Sequence, residues 1–219
     1  MELITPLTST AIRFLTEKTI GSAHAPVFVE GLKDRYQFWE APKGPADFTL
    51  DTGVKFAYGR FQKQLINTVQ IFSNGVSAQG NTNTQILSDL IDDLLGWVKE
   101  SYGSEFVSAE PVSTVFTSSI EVRVDPDFAA RFEALIRLDR IAKILSDYGL
   151  TVSPYTVSSI ALQTDPPTAK PFQPGRFVLE RRANIPFERN IFYSEAPVST
   201  EQHLDLLAEL ERSLMLKVS

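Results

Sequence analysis

The sequence predicts an α+β fold, in which a mixed, mostly antiparallel β-sheet carries two or three long amphipathic helices, with irregular arm and loop segments beside them. Three observations predict it. Strong helical periodicity is confined to a few stretches. Between these lie short runs with period-two alternation or a high density of turn residues. The two kinds of segment interleave without a strict βαβ rhythm. With 219 residues, 43 % of them hydrophobic, the chain can bury an ordinary core as a single α+β domain over 1–219. Fifteen Phe against two Trp indicate that aromatic packing fills much of that core.

Taken in order, the first predicted element is a short helix. Pro6 suits a first helical position after Thr5, and Leu7, Ala11, Phe14 and Leu15 share a face before Gly21. From 25 to 60, Val27-Phe28-Val29, Tyr36 to Trp39, Phe48-Thr49-Leu50 and Val54-Lys55-Phe56 are separated by Gly and Pro, which reads as an arm or a β-meander. Gln64 to Phe72 reads as a strand running into a turn at Asn74-Gly75. Thr82 with Gln85 forms a capping box for a helix. That helix buries Ile86, Leu87, Leu90, Ile91, Leu94, Leu95 and Val98 and stops at Gly103.

A strand follows over roughly Val112 to Val124, where Ile120, Val122 and Val124 alternate with Glu121 and Arg123. Asp125-Pro126-Asp127 caps one long helix reaching Tyr148, with Gly149 as its stop and a stripe of Phe128, Phe132, Leu135, Leu138, Ile141, Ala142 and Leu145. Strands are expected near Tyr155–Leu162, Arg176–Arg182 and Ile191–Tyr193, interrupted by a Pro-rich loop over 164–175. A last helix opens at Ser199, boxed by Gln202, and buries Leu204, Leu207, Leu210 and Leu214.

Composition excludes several chemistries. Without Cys there is no thiol nucleophile, disulfide framework or Cys-ligated metal, and His24 and His203 leave little for an imidazole cage. The N-terminus lacks a basic start and an apolar run, and no stretch approaches a membrane span. A soluble chain folded in a cytosol is expected. A net charge of −6 argues against general or sequence-specific nucleic-acid binding. The charge is unevenly divided. From 81 to 110, six acids (Asp89, Asp92, Asp93, Glu100, Glu105, Glu110) face only Lys99, whereas from 170 to 193 five bases (Lys170, Arg176, Arg181, Arg182, Arg189) face Glu180 and Glu188.

No catalytic set, cofactor site or metal site is expected. There is no nucleophile elbow and no phosphate loop. His203 sits beside the leucine face of the last helix, where structure explains it better than a general base would, and His24 lies in a loop. Asp89, Asp92 and Asp93 at i, i+3, i+4 share a helix face. That spacing could hold Mg²⁺ with substrate phosphates, but a solvated helix face near the helix N-terminus is the better reading. Arg181 and Arg182 point to opposite sides of a strand, so one of them faces a covered side and needs a carboxylate, within the fold first, then on another subunit, and last a phosphate. Tyr36, Phe38 and Trp39 are candidate interface anchors or, equally, a small core under the loop.

Phe177-x-Leu179-x-Arg181-Arg182, Ile185-Pro186-Phe187, Phe192-Tyr193-Ser194-x-Ala196-Pro197 and Ser199-Thr200-x-x-His203-Leu204 together resemble the ends of uncharacterised virion structural proteins of tailed bacteriophages and prophages. The resemblance implies a virion component folded in the host cytoplasm. Its place would be a neck or tail ring or connector, such as a tail terminator, or the baseplate, in contact with its own copies and other virion proteins. An acidic and a basic segment in one chain suit head-to-tail contacts that close into rings. The interface candidates are then Tyr36, Phe38, Trp39, Asp89, Asp92, Asp93, Arg176, Arg181, Arg182 and Arg189. The alternatives are a small Mg-dependent enzyme using Asp89, Asp92 and Asp93, or a bacterial accessory module that binds a peptide at a sheet edge.

Overall fold

The computed structural model describes residues 1–16, 26–44, 47–48, 52–102, 111–135, 137–149, 155–165 and 175–216. The expected stops at Gly21 and Gly103, the loop histidine His24 and most of the Pro-rich loop lie outside the described residues. The helices are α1 (Pro26–Tyr36), α2 (Thr84–Tyr102), α3 (Pro126–Ala134), α4 (Asp139–Asp147) and α5 (Thr200–Leu216). The strands are β1 (Glu2–Leu15), β2 (Val54–Phe61), β3 (Gln64–Phe72), β4 (Gly75–Gly80), β5 (Pro111–Arg123), β6 (Arg137–Leu138), β7 (Tyr155–Thr156), β8 (Ser159–Leu162), β9 (Phe177–Arg181) and β10 (Ile191–Ala196). Eight of them form one mostly antiparallel sheet in the order β2-β3-β4-β1-β5-β10-β9-β8, and β6 pairs with β7. The fold is α+β, as the interleaved patterns predict. Among the described residues, no helix is long and apolar enough to cross a membrane.

Contacts gather the chain into two compact units, a larger one of residues 6–119 with 197–200 and a smaller one of 1–5, 120–196 and 201–219. In the larger unit, α2 buries Leu87, Leu90, Ile91, Leu94 and Val98, joined in one core by Phe28, Leu32, Tyr36 and Phe38 and by Val54, Phe56, Ile66, Val69 and Ile71 of the sheet. In the smaller unit, Ile120, Val122 and Val124 alternate inward along the chain and meet Phe128, Phe132, Leu179, Phe192 and Leu207. The Phe132 ring stands edge-on to that of Phe192 at 5.3 Å.

Three expectations are corrected. The first element is strand β1, not a helix. Ser9, Ala11, Arg13 and Leu15 are buried in alternation, and Ser9 to Phe14 pair antiparallel with β4. Leu7, Ala11, Phe14 and Leu15 fit a helical stripe on paper. The β-branched Ile4, Thr5, Thr8, Thr10 and Ile12 around them favour a pleated surface, and the sheet supplies the partner.

The 25–60 segment is not a β-meander throughout, because Phe28, Val29, Leu32 and Tyr36 form a buried helical stripe on α1. Gly31 lets the Trp97 ring lie against that helix; a Cβ there would stand 2.8 Å from it. The helix ends with Gln37 at φ 54 and the Phe38 amide donating to the Lys33 carbonyl at 3.1 Å. This is a left-handed C-terminal cap with an apolar residue after it.

The long helix expected from 125 to 148 is two helices. Asp125 caps the first as expected, accepting the Asp127 amide at 2.8 Å with Pro126 opening the helix. Arg137 and Leu138 instead pair with Thr156 and Tyr155, and strand pairing takes the backbone groups a continuous helix would use. Leu135 is left exposed. A smaller shift occurs at α2, where Asn83 and not Thr82 is the cap, its side-chain oxygen accepting the Ile86 amide at 2.9 Å.

Candidate functional site

An open group of polar side chains lies in the larger unit, where the chain leaves α1. After the cap at Gln37, residues 39–40 run beside β2. The Trp39 amide donates to the Tyr58 carbonyl at 3.2 Å, and Glu40 and Ala57 exchange amide–carbonyl bonds at 3.1 and 2.9 Å. Extended backbone sends successive side chains to opposite sides. Phe38 therefore enters the core at 2 % exposure, packed against Phe56, while Trp39 stands out at 84 %.

Beyond it the loop is braced by Asp47, whose Oδ2 accepts the amides of Lys43 at 2.9 Å and Gly44 at 3.2 Å. These two bonds hold its carboxyl below the usual carboxylate range. Lys55 and Gln70 are cross-strand partners on β2 and β3, and Gln70 Nε2 donates to the Thr52 carbonyl at 3.2 Å. Together with Trp39 and Glu40 these groups line a cavity of about 590 Å³.

The other sequence candidates are placed as follows. Tyr36 and Phe38, each 2 % exposed, belong to the core of the larger unit and offer no surface; this corrects the reading of them as contact anchors. The acidic face of α2 is engaged by its own unit. Arg13 holds Asp92 at 2.6 Å and the Ser88 hydroxyl at 3.0 Å. Arg35 forms a fork on Asp93 at 2.7 and 3.0 Å, with the Tyr36 hydroxyl donating to the same carboxylate at 2.6 Å. Asp89 accepts from Gln85 at 2.7 Å.

The bond from Arg35 and then that from Tyr36 hold the Asp93 carboxyl low, against the opposing effect of burial. Burial, and then the Asp93 carboxylate, push the Tyr36 phenol up. Among the described residues, no group of three or more His, Asp or Glu is placed to hold a metal ion.

In the smaller unit Arg181 is 6 % exposed. It pairs with Glu133, donates to the Phe187 carbonyl at 3.1 Å and lies over the rings of Phe187 and Phe192 at 4.2 and 4.9 Å. Arg182 faces the other way and pairs with Glu121 at 3.0 Å. Both arginines thus find carboxylates within the fold, while Arg176 and Arg189 are exposed.

His203 is fully buried. Its Nε2 lies 2.8 Å from the Ser194 hydroxyl, which donates its one proton to the Val178 carbonyl at 2.8 Å. The ring nitrogen is therefore the donor of that pair, and Ser194 is an acceptor rather than an activated nucleophile. An apolar groove of about 310 Å³ also lies in this unit, lined by Leu162, Phe177, Leu206, Glu209, Leu210 and Ser213.

Sequence reasoning missed Arg13 and Arg35, which decide what the α2 acids do. Arg35 sits in the last turn of α1; the spacing of Phe28, Val29, Leu32 and Tyr36 is the available signal, and it goes unread where the segment reads as an arm or a β-meander. No family model matches the chain, and no curated protein matches it.

Proposed function

We propose that this chain is a structural protein of a tailed-bacteriophage virion, a ring or connector of the neck or tail (tail terminator-like) or a baseplate part. It works through contacts with its own copies and other virion proteins and not by catalysis. One observation carries the reading. Of the sixteen residues on which the resemblance rests, six (Leu179, Arg181, Phe192, Ser194, Ala196 and His203) are buried in the smaller unit, whereas Pro186 and Phe187 are exposed. A likeness at such positions speaks for a shared fold, since they pack and bond the interior. The enzyme alternative loses support from the α2 carboxylates, because Asp92 and Asp93 are bound by arginines. Exposed Arg176 and Arg189 are the remaining basic contact candidates.

Mass in solution, measured alone and with candidate virion proteins (a capsid, a portal and a tail protein), tests the reading. A discrete oligomer or a complex with one of them is expected, weakened by Arg176→Glu with Arg189→Glu. A monomer at high concentration that binds none of them overturns it.

A further inference from the structure

We propose that the cavity beside Trp39 binds a carbohydrate, with a sugar ring stacked on the indole and its hydroxyls bonded by Asp47, Lys55 and Gln70. The inference is independent of the virion reading.

Trp39 is set outward by the backbone itself, since the bonds from residues 39–40 to Ala57 and Tyr58 fix the strand that carries it. An indole held in water beside a mainly polar cavity suits a ligand with one apolar face and polar edges. A pyranose has that form: its C–H face lies flat on an aromatic ring, and every hydroxyl both donates and accepts. The cavity supplies both partners. Carboxylates on Glu40 and Asp47 and the Gln70 carbonyl oxygen accept, while the ammonium groups of Lys43 and Lys55 donate. Asp47 is preset for the role, because the Lys43 and Gly44 amides occupy one of its oxygens and orient the other.

The same inventory disfavours other classes. Lys43 and Lys55 are balanced by Glu40 and Asp47, so an anion would meet as many carboxylates as ammonium groups. A Pro-rich peptide requires an aromatic-lined groove, and Trp39 is the one aromatic side chain lining this cavity among the described residues.

The test uses the full chain with maltohexaose, cellohexaose and chitohexaose, read by saturation-transfer NMR. It is repeated by indole fluorescence in Trp97→Phe, which leaves Trp39 as the single tryptophan. At least one sugar should bind saturably and shift Trp39 emission. Trp39→Ala, at an exposed position and with an unchanged melting curve, should weaken binding about tenfold or more. Lys55→Ala and Gln70→Ala should weaken it several-fold. The proposal is overturned if no sugar binds, if binding survives Trp39→Ala, or if inorganic phosphate or a Pro-rich decapeptide is the probe that shifts Trp39.

Discussion

Thr84 and Thr200 cap each other. The Thr200 amide donates to the Thr84 hydroxyl oxygen at 2.8 Å, and the Thr84 amide donates to that of Thr200 at 3.1 Å. The Ser118 hydroxyl adds a third bond, at 3.2 Å to Thr200. All three residues are buried. Each threonine opens a helix, so the pair satisfies amides that a helix leaves unpaired. Thr200→Val should cost about 2 kcal/mol, because it strands a buried amide and hydroxyls, and Thr84→Val about 1–2 kcal/mol. The double variant should lose less than the sum by about 1 kcal/mol. Urea unfolding of the four proteins checks this, and additive losses would refute the mutual cap.

The Arg35–Asp93–Tyr36 cluster makes stability depend on pH at both ends. Asp93 has its folded-state pKa depressed. Its contribution is therefore full above the ordinary aspartate value near 4 and fades as pH falls through the lower folded value. Because Asp93 is about a third exposed, solvent screening holds that contribution to on the order of 0.5–1 kcal/mol. Tyr36 is shifted up, so the folded state is disfavoured once pH rises past about 10, where the unfolded chain ionises. Asp93→Asn should flatten the acid limb of the stability curve and Tyr36→Phe the alkaline limb. Thermal melts across pH give the readout.

Two glycines should respond with opposite signs. A Cβ on Gly31 would stand 2.8 Å from the Trp97 ring, so Gly31→Ala should destabilise by about 1–3 kcal/mol through overpacking. At Gly96, in the middle of α2, a Cβ meets nothing within 4 Å. Gly96→Ala should stabilise by roughly 0.5–1 kcal/mol from helix propensity. Denaturation midpoints distinguish the two.

The β2–β3 hairpin turns on Gln62 and Lys63, both at positive φ (46° and 65°), as both central positions of a type I′ turn are. Neither side chain suits that region. The double substitution Gln62→Asn with Lys63→Gly should raise stability by about 0.5–1 kcal/mol, because it installs the residue pair that this turn favours. An unchanged or lowered melting temperature would contradict the assignment.

Helices with a one-sided leucine stripe were legible because nothing else in the chain competes for their pattern. The stripe Leu87, Leu90, Ile91, Leu94, Val98 points inward as its spacing requires, and so does Leu207 on α5. Patterns that fit two periods were not legible. Ala11 and Leu15 are buried in a strand as well as they would be in a helix, and only the pairing with β4 decides. The run through Leu135 and Leu138 holds a helical period across a break imposed by residues 155–156, which local sequence does not encode. At the candidate site, Trp39 was legible as an anchor. Its separation from Tyr36 and Phe38 depends on the residues 39–40 bridge to β2. The neutralisation of the α2 acids depends on Arg13, and its strand was read as a helix.

The outer edge of β8 has a practical consequence. Among the described residues it ends the sheet and pairs with β9 alone. Its four residues, Ser159-Ile160-Ala161-Leu162, hold no charge and no proline, the two devices that usually keep a bare strand from recruiting another chain. Leu162, more than half exposed, also opens onto the apolar groove. Heated or concentrated preparations should therefore begin to aggregate at this strand. Ala161→Lys, a single gatekeeper charge, should delay light scattering without lowering the melting temperature.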